Sequence, residues 1–400
     1  MKDLKHMIYF ENLLDNAYND LVRQAQSDGK LAIGYTCYHM PEVLLNLDNC
    51  FSVRLRAPQM GSMDIATYYM SNGLCEYARA LLERGLEGGY KFLDSIAGVD
   101  ACECMNRSME NMEILKINEK KNFFISHLDV PFKDDEDCVE HYCEQINRKV
   151  LQPLHEIYNV EISEDSIRDA AKRHNELCRV IQEIGEFRKL DNPPITGYEF
   201  HILTLVSFVC PKDLIIDKLQ ETLEELKTRV PDSKKNFRVK VVVVGSEIDD
   251  PELIKLIEES GALVVADRFC YGSIPGREEI ILNDNEPAFI QVCRQYLQNS
   301  LCARCMGDKK VAQRYDEVEK LYKDFHADGI IYEQMKFCTY WSYERALASH
   351  VMAKERNIPT LSIDRPYNSR SSGQLRTRVQ AFVESLEIKR IKASKKEALI

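Results

Sequence analysis

The strongest fold signal lies in residues 238–270, which read RVKVVVVGSEIDDPELIKLIEESGALVVADRFC. The apolar run at 238–244 predicts a buried strand, and Pro251 predicts the start of the helix that follows it. Gly261 predicts the end of that helix, and the run at 263–266 predicts a second buried strand. Two almost wholly apolar strands joined by a helix are typical of a parallel sheet that helices cover on both faces.

The same alternation of strands and helices extends over the rest of the chain. Further strands are predicted at 31–35, 95–99, 123–125, 329–332 and 359–363. A helix is predicted after Pro41, another pattern runs from Met63 to Gly88, and long charged helices are predicted over 134–190. The sequence therefore predicts an α/β fold with two doubly wound, Rossmann-like parallel-sheet domains and extra helices.

A chain of 400 residues is too long for one ordinary hydrophobic core, so two domains are expected. The run DNPP at 191–194 is typical of a break between elements. We therefore expect an N-terminal α/β domain with a helical extension, residues 1–192, and a C-terminal α/β domain, residues 193–400.

The composition, 44% apolar and 29% charged, is that of an ordinary soluble globular protein. The chain has 53 Lys and Arg against 64 Asp and Glu, so its formal net charge is −11. No basic stripe stands out from this acidic background, which argues against a nucleic-acid partner. The sequence shows neither a signal-peptide pattern nor an apolar run of membrane-spanning length, so we expect a cytoplasmic protein without a membrane partner.

Cysteine is unusually frequent, with 14 residues in the chain. A reducing cytosol disfavours disulfides, and a chain of this length does not need them for stability. Because free cysteine is also a common buried residue, part of this number is expected in the core. The remaining cysteines indicate a metal held by thiolates.

Four cysteines directly follow predicted strands, namely Cys37, Cys102, Cys270 and Cys338. Ligands of open parallel sheets bind beyond the carboxyl ends of the strands, so these four thiols are expected on the functional rim. Cys75 begins a predicted helix, where the helix dipole favours a thiolate. This placement predicts a shared metal site.

Zinc is the competing metal, and its structural sites use paired clusters of Cys or His. The chain has one Cys-x-x-Cys unit, Cys302 and Cys305, which follows a predicted helix and has no partner pair. Widely separated single cysteines suit an iron–sulfur cluster better. Cys104 shares a Cys-x-Cys unit with Cys102, so one of the two can be a spectator. The cysteines interpreted as non-ligands are Cys50, Cys138, Cys143, Cys178, Cys210 and Cys293.

Several stretches occur together in this chain: CEYAR at 75–79, CE at 102–103, DRFCYGS at 267–273, DGII at 328–331, KFC at 336–338 and GQLRTRVQAF at 373–382. In combination they resemble the 2-hydroxyacyl-CoA dehydratase family, which includes the subunits of 2-hydroxyglutaryl-CoA dehydratase and benzoyl-CoA reductase. The resemblance extends from about residue 30 to residue 386.

The resemblance implies a [4Fe–4S] cluster held by Cys75, Cys102 and Cys338, with Cys270 as the reserve ligand. It implies a lyase that removes water from an (R)-2-hydroxyacyl-CoA after one-electron activation under anaerobic conditions. The electron would come from an ATP-dependent iron–sulfur activator protein, and the sequence itself contains no P-loop. A heterodimer with a homologous second subunit is expected. The catalytic acid and base are not identified by the resemblance.

Two alternatives stay open. The first is a low-potential reductase with a double-cubane iron–sulfur cluster, or a subunit of the benzoyl-CoA reductase type. The six cysteines that resemble the double-cubane set are Cys37, Cys75, Cys102, Cys270, Cys305 (or Cys302) and Cys338. The stretches at 54–58 and 243–247 look more like the dehydratase and benzoyl-CoA reductase branch. The second alternative is a non-catalytic metal-binding α/β protein.

Overall fold

The computed structural model describes residues 1–58, 60–368 and 372–397, and these residues contain two four-stranded sheets whose neighbouring strands are all parallel. The first sheet has the order β2-β1-β3-β4, with β1 Leu31–Tyr35, β2 Cys50–Arg54, β3 Ser95–Asp100 and β4 Phe124–Asp129. The second has the order β6-β5-β7-β8, with β5 Val239–Glu247, β6 Ala262–Cys270, β7 Gly329–Met335 and β8 Thr360–Arg365. The predicted α/β fold with two parallel sheets is confirmed.

Helices connect these strands. Those before β5 are α1 Met7–Asp15, α2 Asp20–Ser27, α3 Asp64–Tyr69, α4 Glu76–Leu86, α5 Glu103–Ile114, α6 Glu136–Ile146, α7 Gln152–Tyr158, α8 Glu164–Glu186, α9 Gly197–Val209 and α10 Lys212–Thr228. Those after β5 are α11 Glu252–Glu259, α12 Ala288–Gln298, α13 Asp308–Asp324, α14 Thr339–Lys354 and α15 Gly373–Glu397. Short helical turns lie at Glu42–Leu45, Asn147–Leu151 and Phe187–Lys189. None of the helices in the described ranges is long and apolar enough to cross a membrane.

The valine run of β5 is buried on both of its faces. Val241 and Val243 belong to one hydrophobic cluster of the second sheet, whereas Val242 and Val244 belong to the cluster on the opposite face. Successive side chains of a strand point to opposite faces, so a continuous apolar run requires a cover on each. The apolar run at 238–244 therefore correctly predicted a strand that is covered on both faces.

The sequence-based prediction was wrong in three details of the first half. It missed β2, whose polar side chains interrupt the apolar pattern although all five residues are buried. The helix predicted after Pro41 is a single 3-10 turn of four residues, Glu42–Leu45. The helical pattern from Met63 to Gly88 is two helices, α3 and α4, because the stretch between them contains the turn at 71–74.

The hydrophobic core around the first sheet also takes in helices from the second half of the chain. Phe200 and Leu203 of α9, Leu219 of α10 and Val292 of α12 belong to the same buried cluster as the side chains of β1 and β3. Helix α8, which precedes α9 in sequence, begins at the cap that the sequence predicts. There the side chains of Ser163 and Ser166 each accept a hydrogen bond from the backbone N–H of the other. The division at residue 192 stays a prediction.

Candidate functional site

Three cysteines lie directly in front of helices, and two of them closely follow strands. Cys75 caps the N-terminus of α4, Cys102 that of α5 and Cys338 that of α14. The connections are short: β3 ends at Asp100 two residues before Cys102, and β7 ends at Met335 three residues before Cys338. Because strands of parallel sheets that lead straight into helices end at the functional edge, Cys102 lies at that edge of the first sheet and Cys338 at that of the second.

The turn before Cys338 is tightly folded. Phe337 has a φ of 64°, in the left-handed region that non-glycine residues rarely adopt, and the Cys338 N–H donates to the Met335 carbonyl at 3.0 Å. Strained backbone of this kind concentrates where a side chain must be aimed at a site. The turn orients the Cys338 thiol at the start of α14.

The three thiols lie close enough to influence one another electrostatically. Burial raises the pKa of the Cys338 thiol well above its ordinary value, and the charges of Cys75 and Cys102 raise it further. The pKa of Cys102 is raised well above its ordinary value by burial and then by Cys75, and burial raises the pKa of Cys75 to about 12. Without a nearby cation, these thiols remain protonated at neutral pH.

A second group of thiols lies next to the first. Cys270 is the last residue of β6, and its pKa is raised well above the ordinary value by burial, by Glu247 and by Cys302. Burial, Cys305 and Cys37 raise the pKa of Cys302 to about 12. Cys37, which follows β1, also raises the pKa of Cys102. It is therefore within electrostatic reach of both groups.

The cysteines interpreted as non-ligands have other surroundings. Cys178 lies 3.3 Å from Nε2 of His174, and Cys210 accepts from Nδ2 of Asn19 at 3.6 Å. Cys50 is in β2, not in the irregular stretch expected from the sequence, because that strand was missed. All 14 cysteines are free thiols.

Within the described ranges, no group of three or more His, Cys, Asp or Glu side chains is placed to hold one metal ion. In an iron–sulfur cubane each thiolate binds a different iron atom, so its ligands surround a cluster rather than a single ion. The assignment of Cys75, Cys102, Cys338 or Cys270 as ligands stays a prediction.

Two charged residues that were not among the predicted site residues also lie here, Arg54 and Glu247. Each is the last residue of its strand, β2 and β5, and the guanidinium Nη2 is 3.8 Å from the carboxylate Oε2. Glu247 raises the pKa values of Cys75, Cys270 and Cys338, so it lies within electrostatic reach of both thiol groups. For Glu247, a charged residue at the end of a predicted buried strand is the sequence signal that could have identified it; Arg54 ends β2, which was not predicted.

Similarity to known proteins covers most of the chain. A family model described as 2-hydroxyglutaryl-CoA dehydratase, D-component, matches residues 37–386. The (R)-phenyllactyl-CoA dehydratase beta subunit of Clostridium sporogenes is 21% identical over 94% of this chain and 97% of its own length.

Two further relatives are similar over almost their whole length. The putative dehydratase subunit YjiM of Escherichia coli K12 is 22% identical, over 88% of this chain and 91% of that protein. The (R)-2-hydroxyglutaryl-CoA dehydratase subunit beta of Acidaminococcus fermentans is 26% identical, over 92% of this chain and 95% of that protein. Because the family model matches far more than half of its residues, this chain belongs to the 2-hydroxyglutaryl-CoA dehydratase D-component family.

Proposed function

We propose that the chain is the iron–sulfur subunit of a radical (R)-2-hydroxyacyl-CoA dehydratase. The observation that carries this proposal is the cluster of Cys75, Cys102 and Cys338 at three helix N-termini beside the carboxyl ends of both sheets. In this proposal the three thiolates hold a [4Fe–4S] cluster, and the substrate is a 2-hydroxyacyl-CoA that loses water to give a 2-enoyl-CoA.

The residues present fit such a cluster. The three thiols are free, largely buried and mutually repulsive as thiolates, so a cationic cluster would relieve a charge that the fold alone cannot hold. Each is next to the positive end of a helix dipole, which favours the thiolate. When bound, such a cluster supplies an iron with an open position and transfers single electrons at low potential.

Buried aromatic side chains lie close in sequence to two of the proposed cluster ligands. Trp341 of α14 and Tyr77 of α4, three and two residues after Cys338 and Cys75, are buried. The Tyr77 hydroxyl donates to the Leu55 carbonyl at 2.9 Å, which ties α4 to the segment after β2. A rigid, largely dry site favours both low-potential electron transfer and the survival of a radical intermediate.

The relatives support the substrate class and the need for a partner. Their names refer to dehydratases of phenyllactyl-CoA and of 2-hydroxyglutaryl-CoA, and both are beta subunits. We therefore propose that this chain pairs with a homologous second subunit in the cytoplasm and receives its electron from an ATP-dependent iron–sulfur activator.

A reconstituted assay tests this function. We expect the chain, combined anaerobically with its partner subunit, the activator and ATP, to convert an (R)-2-hydroxyacyl-CoA into the enoyl-CoA, measured by mass spectrometry. Omission of the activator or of ATP should abolish product formation. Turnover by the isolated chain with a chemical reductant alone would contradict the proposed dependence on partners.

A second candidate function rests on the neighbouring thiol group. Cys37 lies within electrostatic reach of Cys102, Cys270 and Cys302. In this second proposal these thiols hold a double-cubane cluster together with the first group, and the chain acts as a low-potential reductase.

The iron content of a double variant separates the two candidates. With a single cubane, Cys37→Ser/Cys305→Ser should retain the wild-type content of about four irons per chain. With a double cubane, the wild type should hold about eight irons and the variant half of that or fewer. The measurement is anaerobic iron analysis of both proteins, and the second result would replace the dehydratase by the reductase.

A further inference from the structure

Two cysteines outside the candidate site lie on helices that pack against each other. Cys143 is in the second half of α6, and Cys293 is near the middle of α12. Tyr142 and Val292, the residues just before these two cysteines, belong to the same buried cluster. Both cysteines are free thiols, and neither is among the cysteines expected to bind a metal.

Polar contacts fix the position of one helix on the other. Nη2 of Arg294 is 3.0 Å from Oε2 of Glu136, and Nε2 of Gln298 donates to the Asp134 carbonyl at 3.1 Å. These contacts hold the end of α12 against the start of α6. The two thiols therefore lie at a defined helix–helix interface.

The two thiols share a hydrogen bond across this interface. The hydrogen bond from the Cys293 thiol lowers the pKa of Cys143, and the Arg294 guanidinium lowers it further, although burial acts in the opposite direction. Burial raises the pKa of Cys293 well above its ordinary value, and the contact with Cys143 adds to this effect. Side chains joined in this way point at each other, which is the condition for a disulfide.

The surroundings give the two thiols different properties. Cys143 is half-buried and can be reached from outside, whereas Cys293 is completely buried. In thiol–disulfide exchange the attacking thiol must be accessible and partly ionised, and the second thiol must lie within reach of the mixed disulfide. Cys143 meets the first requirement and Cys293 the second.

The same helices also contact the residues around Cys37. The Tyr142 hydroxyl of α6 donates to the His39 carbonyl, and Nδ1 of His39 lies 3.5 Å from the sulfur of Cys37. Nε2 of His39 is 2.9 Å from the hydroxyl of Ser300, two residues after the end of α12. A covalent link between α6 and α12 would therefore join the two supports of His39.

We propose that Cys143 and Cys293 form a redox-active dithiol, which a low-molecular-weight disulfide oxidises to a reversible cross-link between α6 and α12. The Cys143 thiolate attacks one sulfur of glutathione disulfide, forms a mixed disulfide and releases one glutathione thiolate. Cys293 passes its proton to that thiolate and attacks the sulfur of Cys143, which releases the second glutathione. Two electrons thus pass from the protein thiols to glutathione disulfide. Disulfides of reducing compartments are usually transient bonds of this kind.

Peptide mapping of the full chain tests the proposal. The chain is purified with reduced thiols, incubated anaerobically with glutathione disulfide, blocked with iodoacetamide and digested with trypsin without reduction. We expect mass spectrometry to detect a disulfide between the tryptic peptides 134–148 and 278–294, and dithiothreitol should remove it. Cys138 is in the same peptide as Cys143, so Cys138→Ser is the matched control. This variant should form the link as the wild type does, whereas Cys143→Ser should not form it.

The order of the two steps is tested by Cys293→Ser. This variant should stop at the mixed disulfide, with one glutathione bound to Cys143. A wild-type chain without the link between 134–148 and 278–294 would overturn the proposal, as would a link that persists in Cys143→Ser. The wild-type map alone decides whether the link forms, so the result does not depend on the folding of any variant.

Discussion

Replacement of Cys338 by serine should leave less than about one tenth of the wild-type iron in the anaerobically purified protein, as should Cys75→Ser and Cys102→Ser. A cluster held by only three protein thiolates has no spare ligand, and a serine hydroxyl is far less easily deprotonated than a thiol. The measurement is iron and acid-labile sulfide per chain, together with the visible absorption of the cluster.

The matched control is Cys178→Ser, because Cys178 is also buried but lies 3.3 Å from Nε2 of His174 and is not among the proposed ligands. This variant should retain the full iron content. Full retention of iron in Cys338→Ser would contradict the assignment of Cys338 as a ligand. Cys270, at the end of β6, would then be the next cysteine to test by substitution.

Glu42→Gln should lower the free energy of unfolding by about 3–5 kcal/mol, because it breaks a buried charge network. Oε1 of Glu42 is 2.6 Å from Nη1 of Arg277 and 3.3 Å from Nζ of Lys212, and all three side chains are buried. Burial alone would raise the pKa of Glu42, but the two cations outweigh it and hold that pKa well below its ordinary value. The neutral amide would leave both cations without a counter-charge.

Denaturant titration monitored by circular dichroism measures this loss. The control is Glu224→Gln, since Glu224 pairs with Lys227 on an exposed face of α10 and its replacement should leave the midpoint unchanged. An unchanged midpoint for Glu42→Gln would show that the network does not stabilise the fold.

The second sheet could be predicted from sequence because its strands are apolar on both faces. The runs at 238–244 and 263–266 need no knowledge of their neighbours to be recognised as buried. β2 could not be predicted in this way, since Ser52 and Arg54 are as buried as its apolar residues. Their burial depends on partners far away in the chain, such as Lys212, which donates to Ser52, and Tyr271.

The candidate site was predictable in part for a similar reason. Cysteines that follow strands must lie at the carboxyl edge of a parallel sheet, so the positions of Cys102 and Cys338 followed from the strand pattern. Their closeness to Cys75 depends on how the two sheets face each other, which no local pattern contains. The same holds for the pairing of Arg54 with Glu247, which end strands of different sheets.

The content of iron and acid-labile sulfide in the anaerobically purified wild-type chain is the most direct test of an iron–sulfur subunit. We expect brown protein with about four irons and about four sulfides per chain. Colourless protein that contains zinc and no labile sulfide would contradict the account and leave a structural-metal protein.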